Sequence, residues 1–266
     1  MGEPPLDHGE LKSLLDTAIS AARAPAAQIL IRFHQVGLAV EGKPDGTPVT
    51  IADREAESTI RGLLKAHQTI GPIDILGEEQ GSEGEGSRLR WLVDPIDGTR
   101  SFVNRIPLFG TIIALEDTLE NRPLIGVIHL PVLDLTYAAA RGLGSTCNST
   151  RVWVSQETGP EKAILAVGDP AQFISARREE AYRRMQELSP YLRGYTDCFG
   201  HALVINGSVG AMMDPALNPW DILATQVLVE EAGGTMILRP SRAQRKVDAL
   251  FGNTDLVGFL AKDLSF

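Results

Sequence analysis

The stretch Trp91-Leu-Val-Asp94-Pro95-Ile96-Asp97-Gly98-Thr99-Arg-Ser-Phe102 constrains this chain more than any other. Trp91 to Val93 is a short apolar run of the kind that forms a buried strand, and it breaks off at an acidic turn containing Pro and Gly. Pro95 removes one backbone donor and holds the chain extended between Asp94 and Asp97, so the two carboxylates and the Ile96 carbonyl can converge on one side. Three oxygen donors within four residues suit a hard divalent cation. Gly98 lets backbone come close to a ligand, and the Gly98 and Thr99 amides can face an anion at the start of the next segment. A cation beside an anion points to phosphate. The same residues also suit an ordinary turn, with Asp94 and Asp97 bonding their own backbone and Gly98 supplying a positive φ.

Upstream, Leu11, Leu14, Leu15, Ala18, Ile19 and Ala22 recur at helical spacing, and the pattern resumes at Ile29, Leu30 and Phe33. This predicts one long helix, or two joined by a kink at Pro25. The segment from Gly42 to Pro48 is a polar loop by composition, of the kind that can act as a lid. Thr50-x-x-Asp53 opens a second helix with apolar face Ala52, Ala56, Ile60, Leu63 and Leu64, and by spacing alone Asp53 caps it. Ile73 to Leu76 predicts a short strand ending at Gly77-Glu78-Glu79, followed by a flexible acidic loop over Gly81 to Gly86. Two adjacent strand ends can bring Glu78 and Asp94 together.

Beyond the acidic turn, the runs Phe109 to Leu115, Leu124 to Leu130, Leu135 to Ala140 and Arg151 to Ser155 predict an antiparallel sheet. From Ala163 the pattern changes to a strand at Ile164 to Val167, a helix at Ala176 to Leu188 and further alternation, which predicts a second α/β layer. Gly210 to Asp214 reads as a strand ending in an acid. Asn218-Pro-Trp220-Asp221 then starts a helix ended by Gly233-Gly234. Asp221 falls in its first turn, where its charge favours the helix dipole. Of the five histidines, His34 and His129 have no sequence neighbours of metal-ligand type, H-x₃-H spacing is absent throughout, and all five are read as structural or exposed.

Four motifs in order, P-V-T-x-A-D at Asp53, G-E-E at Glu78, D-P-I-D-G-T at Asp94 to Thr99 and W-D…E-A-G-G at Asp221, resemble those of the inositol monophosphatase family of Mg-dependent, lithium-sensitive phosphatases. The resemblance runs from about Leu11 to Leu260. It implies an α/β fold of alternating αβαβα layers, the sugar-phosphatase fold. An antiparallel sheet would lie in an N-terminal half over residues 1–155, and a smaller α/β half over 156–266 would carry Asp221 and the substrate pocket. It also implies that Glu78, Asp94, the Ile96 carbonyl, Asp97 and Asp221 hold two or three Mg²⁺ ions. Asp53 would pair with Thr99 to orient the attacking water, and the Gly98 and Thr99 amides would bind phosphate. Asp53 is then expected to serve as both cap and catalytic group. A homodimer, lithium inhibition and direct in-line attack without an enzyme nucleophile follow from the same resemblance.

The implied substrate is a small phosphate monoester. In inositol-specific members of that family, the position matching Asp197 is small and that matching Asp214 is Glu. Two aspartates suit a leaving group that carries a cation, since an amine would compensate buried charge. Asp197-Cys198 and Asn218-Pro-Trp-Asp221 resemble the histidinol-phosphatase branch, so Asp197, Asp214 and Asn218 are candidate substrate contacts, with inositol phosphate as the alternative. By position alone, Asp197 equally caps a helix and Asp214 equally ends a strand before Pro215. A catalytically idle dimeric interaction homologue is a further alternative, but every ligand position is retained.

A net charge of −9 argues against nucleic acid or an anionic membrane as partner. No apolar run approaches the roughly 18 residues of a membrane helix, and the start is acidic where a secretory signal is basic, so a cytoplasmic location is expected. The two cysteines, Cys147 and Cys198, form no metal or redox motif and read as packing residues of a reducing compartment.

Overall fold

The computed structural model describes residues 6–43, 48–66 and 70–266, and most of the predicted polar loop after Gly42 lies outside them. In chain order the elements are α1 (His8–Arg23), α2 (Ala26–His34), β1 (Val40–Gly42), β2 (Pro48–Thr50), α3 (Ile51–Ala66), β3 (Asp74–Gly77), β4 (Gly81–Glu83), β5 (Leu89–Asp97) and α4 (Thr99–Val103). There follow β6 (Gly110–Asp117), β7 (Arg122–Leu130), β8 (Leu135–Ala140), β9 (Gly144–Cys147), β10 (Thr150–Arg151), β11 (Leu165–Val167), α5 (Pro170–Ser175) and α6 (Glu179–Leu188). The chain closes with β12 (Leu192–Gly194), α7 (Asp197–Ile205), β13 (Ala211–Leu217), α8 (Pro219–Glu231), β14 (Thr235–Pro240), β15 (Val247–Gly252) and α9 (Thr254–Asp263).

Two sheets organise the molecule. The larger runs β10-β9-β8-β7-β6-β5-β3-β4 and is antiparallel except for the β3–β5 pair; the smaller runs β12-β11-β13-β15-β14, with β12, β11 and β13 parallel. Both faces of the large sheet are covered, which explains why its strands read as continuous apolar runs. Alternation along β5 sorts the faces. Trp91 and Val93 join Ile113, Leu115 and Val127 under α1 and α3, while Leu92 joins Ile112 and Ile128 under α7 and α8. The same α7 and α8 layer packs against Ala166, Met212 and Phe251 of the small sheet. The far face of that sheet carries Leu165, Val167, Met213 and Leu250 against Phe173 of α5, Met185 of α6 and Leu256, Val257 and Leu260 of α9. The order is therefore helix, sheet, helix, sheet, helix, as expected.

Local expectations change in five places. β5 does not stop at Asp94 but continues to Asp97 through an irregularity in its pairing with β6, which absorbs Pro95 where it cannot donate to the ladder. The acidic loop contains β4, an edge strand paired with β3. The helix expected over Ala176 to Leu188 begins only at Glu179, as α6, after a left-handed Arg177 with φ 54° that separates it from the unexpected α5. Of the run Arg151 to Ser155 only Arg151 is strand, in β10 with Thr150, and β10 pairs with the unexpected β9. β13 passes through Asp214 to Leu217, with its pairing to β15 shifted between them. At Pro25 the first helical pattern divides into α1 and α2, because Pro25 cannot donate inside a helix.

Candidate active site

The acidic turn leaves β5 where four helices begin. Asp53 lies in the first turn of α3, Thr99 opens α4, Asp197 opens α7 and Asp221 lies in the first turn of α8. Helix N-termini present unpaired amides and partial positive charge, which favours an anionic ligand. An apolar anchor fixes the turn from behind. The Ile96 side chain is 1% exposed and packs in one cluster with Phe33, Phe102 and Phe109. Those three rings lie 4.9–5.8 Å apart in tilted and edge-on contacts. Pairs of this kind are worth about 0.5–1.5 kcal/mol beyond their burial.

Carboxylate oxygens of Asp94, Asp97 and Asp221 all lie within 4.8 Å of one another. Asp94 is buried, and the other two are partly exposed. Burial first, and then the charges of Glu78, Asp97 and Asp221, push the Asp94 carboxyl well above the usual carboxylate range. Burial and the charges of Asp197 and Asp221 do the same to Asp97. Burial, followed by Glu78, pushes Asp221 up to about 8. Mutual repulsion of buried acids is relieved by protons or by a cation, and a donor set made only of oxygens fits a hard divalent ion.

Each acid is also anchored. Asp94 Oδ1 accepts from the Ile96 amide at 3.1 Å, the self-bonded turn that the spacing also allowed. Asp97 Oδ2 accepts from the Cys198 amide at the start of α7. Asp221 Oδ2 accepts from the Asn218 amide at 2.7 Å and from its side chain at 3.2 Å, so Asn218 serves here as the N-cap of α8.

Glu78 reaches Asp94 closely enough to share a hydrogen bond with it, as the adjacent strand ends predicted. Lys43 Nζ lies 2.6 Å from both Glu78 and Glu79, and these partners hold its ammonium above its ordinary pKa although burial alone would lower it. Asp53 is 1% exposed, and burial raises its carboxyl against the bonds from Thr50. Its Oδ2 accepts from the Thr50 amide at 2.8 Å and the Thr50 hydroxyl at 2.7 Å, while its Oδ1 stands 3.5 Å from the Thr99 hydroxyl. The cap is formed, and the contact to Thr99 is long. Gly98 has φ 85°, and a Cβ there would stand 2.9 Å from the Leu108 carbonyl and 3.2 Å from Asp197 Oδ2, so only glycine suits this turn.

Asp197 thus borders the acidic turn from the α7 side. It accepts from the Thr196 hydroxyl at 2.8 Å, and burial pushes its carboxyl up to about 6. It is not the cap, since Thr196 holds that position. Asp214 is 1% exposed, with Oδ2 3.1 Å from His201 Nε2; His201 Nδ1 is 2.9 Å from the Thr225 hydroxyl. Its Oδ1 has no hydrogen-bond partner among the described residues. His201 as the partner of Asp214, and Lys43 as the partner of Glu78 and Glu79, were not identified from the sequence. The residues that contact them lie far along the chain, so no spacing signals them.

The chain matches the model of the inositol monophosphatase family over residues 10–250. It is 36% identical over 221 residues to a histidinol-phosphatase of Chlorobaculum parvum, covering 83% of each chain. It is 34% identical over 232 residues to an inositol-1-monophosphatase of Mesorhizobium japonicum, covering 84% of each. The fold superposes on the extragenic suppressor protein suhB of Bartonella henselae with TM-score 0.85 and 28% identity, over 95% of this chain and 98% of that one. Among the described residues no helix is long and apolar enough to cross a membrane.

Proposed function

The chain belongs to the inositol monophosphatase family and is a phosphoric monoester hydrolase, and from that premise we propose that it is a Mg²⁺-dependent histidinol-phosphate phosphatase. The observation that carries the substrate is Asp197. Its carboxylate borders the phosphate-binding turn at Gly98 and accepts from the Thr196 hydroxyl, and no Lys or Arg pairs with it among the described residues. A substrate amine or imidazole supplies the missing positive charge. Similarity to histidinol-phosphatases over most of the chain supports the same choice.

Asp94, Asp97, Asp221, Glu78 and the Ile96 carbonyl are the groups to hold Mg²⁺, which when bound supplies charge neutralisation at phosphate and acidification of water. The amides of Gly98 and Thr99, at the start of α4, hold the phosphate oxygens. Thr99 and Asp53 hold and orient the water that attacks phosphorus in line, and Asp53 accepts the hydrogen bond that Thr99 relays. The water oxygen bonds to phosphorus as the ester oxygen departs; the proton that the water sheds leaves by way of Thr99 and Asp53, and the alkoxide emerges on the side of Asp221 and takes up a proton from solvent. No side chain is phosphorylated.

Asp214 favours a second reading. Its Oδ2 already has a hydrogen-bond partner inside the protein in His201, which leaves fewer carboxylates free to meet a cationic leaving group, and that suits a neutral polyol such as inositol phosphate. Phosphate release with Mg²⁺ from histidinol phosphate, inositol phosphate and fructose bisphosphate tests both. Highest kcat/KM on histidinol phosphate supports the proposal; a preference for inositol phosphate reverses the assignment and leaves the hydrolase intact.

A further inference from the structure

We propose that Glu57, backed by Arg61, is a positioning residue that sets the direction of Glu78 and thereby the affinity of the cation site; the proposal rests on the metal-dependent reading above. Glu57 lies one helical turn after Asp53 on α3, so the two carboxylates share one face of that helix. It is fully buried, and its oxygens accept from the Glu79 amide at 2.7 Å, the Gln80 amide at 3.1 Å and Arg61 Nε at 2.7 Å. Arg61, 3% exposed, spends its other nitrogens on the Gly81 carbonyl and on Glu83 at 3.2 Å.

Glu78 is therefore pinned on both sides. Its own amide donates to the Val93 carbonyl of β5 at 3.0 Å, and the next two amides donate to Glu57. Gly77 completes the device, since a Cβ there would lie 2.1 Å from Glu57 Oε1, so the carboxylate reaches these amides only across a bare backbone. A buried ion pair seldom adds stability over an apolar pair of the same size. What this pair does add is direction, because among the described residues the side-chain hydrogen bonds it makes beyond itself fall on residues 79–83, immediately after Glu78. With the backbone fixed, the Glu78 side chain projects toward Asp94. Groups that orient metal ligands from behind typically change affinity by about 10–100-fold when altered.

The test uses the full chain with Glu57→Gln, Glu57→Asp and Arg61→Lys. Mn²⁺ binding without substrate is measured by electron paramagnetic resonance, alongside the Mg²⁺ concentration for half-maximal phosphate release and the melting temperature. Glu57→Gln and Glu57→Asp are expected to weaken Mn²⁺ binding and raise the Mg²⁺ requirement at least tenfold. Turnover at saturating Mg²⁺ should stay within about threefold of wild type, and Arg61→Lys should give a smaller shift in the same direction. Unchanged Mn²⁺ affinity in folded variants, even with a lowered melting temperature, overturns the proposal. If the Glu57 variants do not fold, the Arg61→Lys affinity decides. Wild-type protein that neither binds Mn²⁺ nor needs a divalent ion overturns the metal reading itself, an outcome separate from the variants' behaviour.

Discussion

The Thr99 hydroxyl donates to the Ile96 carbonyl oxygen at 3.0 Å. That carbonyl is also a candidate cation ligand, and Asp53 Oδ1 stands further away at 3.5 Å. A carbonyl oxygen has two lone pairs, and a hydroxyl rotates freely about its Cβ–O bond. Thr99 can thus turn its proton from Ile96 to Asp53 without moving its backbone. Thr99→Ser, which keeps the hydroxyl, is expected to retain kcat within a few-fold. Thr99→Ala should lose about 10²–10⁴-fold, the scale of a positioned proton-transfer group. Equal kcat in the two variants would show that the hydroxyl takes no part.

Asp53→Asn separates the two jobs of that residue. The amide keeps one acceptor oxygen, so the bonds from Thr50 or the contact to Thr99 can be preserved but not both with a charge behind them. A kcat lowered by about 10²-fold is expected, with a stability loss of about 1 kcal/mol, typical of a cap. Normal kcat combined with a clearly lowered melting temperature would assign Asp53 to capping alone.

The raised carboxyls of the cluster make stability depend on pH in a definite sense. An acid whose folded pKa lies above its unfolded value binds more protons when folded. Its ionisation therefore penalises folding, and the penalty grows from the unfolded pKa near ~4 and is complete above the folded pKa. Burial, assisted by Glu78, takes Asp221 up to about 8, and Asp94 and Asp97 move the same way. Chelator-treated protein should accordingly lose stability as the medium is made more alkaline across that interval. Added Mg²⁺ should raise the melting temperature more at the alkaline end than at the acid end, and excess chelator should abolish phosphate release. Equal increments by scanning calorimetry at both ends would contradict this account, and full turnover in chelator would remove the cation from the mechanism.

Asp197→Ala probes the leaving-group side. Removing one member of a buried charge pair costs about 2–5 kcal/mol in kcat/KM, and that loss is expected for histidinol phosphate. Hydrolysis of p-nitrophenyl phosphate should fall far less, because the cation ligands and the Gly98 turn are unchanged. Parallel losses on both substrates would mean that Asp197 supports the turn rather than the substrate, a role open to it through its approach to Gly98.

The grouping of Asp94, Asp97 and Asp221 was legible because each carries a local signature, Asp94 and Asp97 the Pro-containing irregularity that ends β5 and Asp221 a helix start. The buried strands were legible because apolar runs between turn residues admit few other structures. Glu57 was not, although its helix was: on α3 it reads as one more charge between Ala56 and Ile60, and only the parallel pairing of β3 with β5 brings the chain after Glu78 over it. His201 escaped for a similar reason, its partners Asp214 and Thr225 belonging to β13 and α8. The break at Arg177 and the edge strand β4 were missed because a left-handed non-glycine residue and a three-residue polar strand carry no compositional mark.

The scattering of the site along the chain has a consequence for biogenesis. When a ribosome has released residues through β10, the emerging polypeptide already owns Asp53, Glu78, Asp94 and Asp97, yet the Cys198 amide that holds Asp97 and the Asp221 carboxylate that completes the trio remain unmade or undocked. Contacts between residues so distant in sequence form late, since their loop closure must be met before they reward the chain. On the metal-dependent reading, cation capture is therefore expected as a terminal event of folding, and a truncated or half-assembled product is expected to be silent as a hydrolase even where its large sheet is in place.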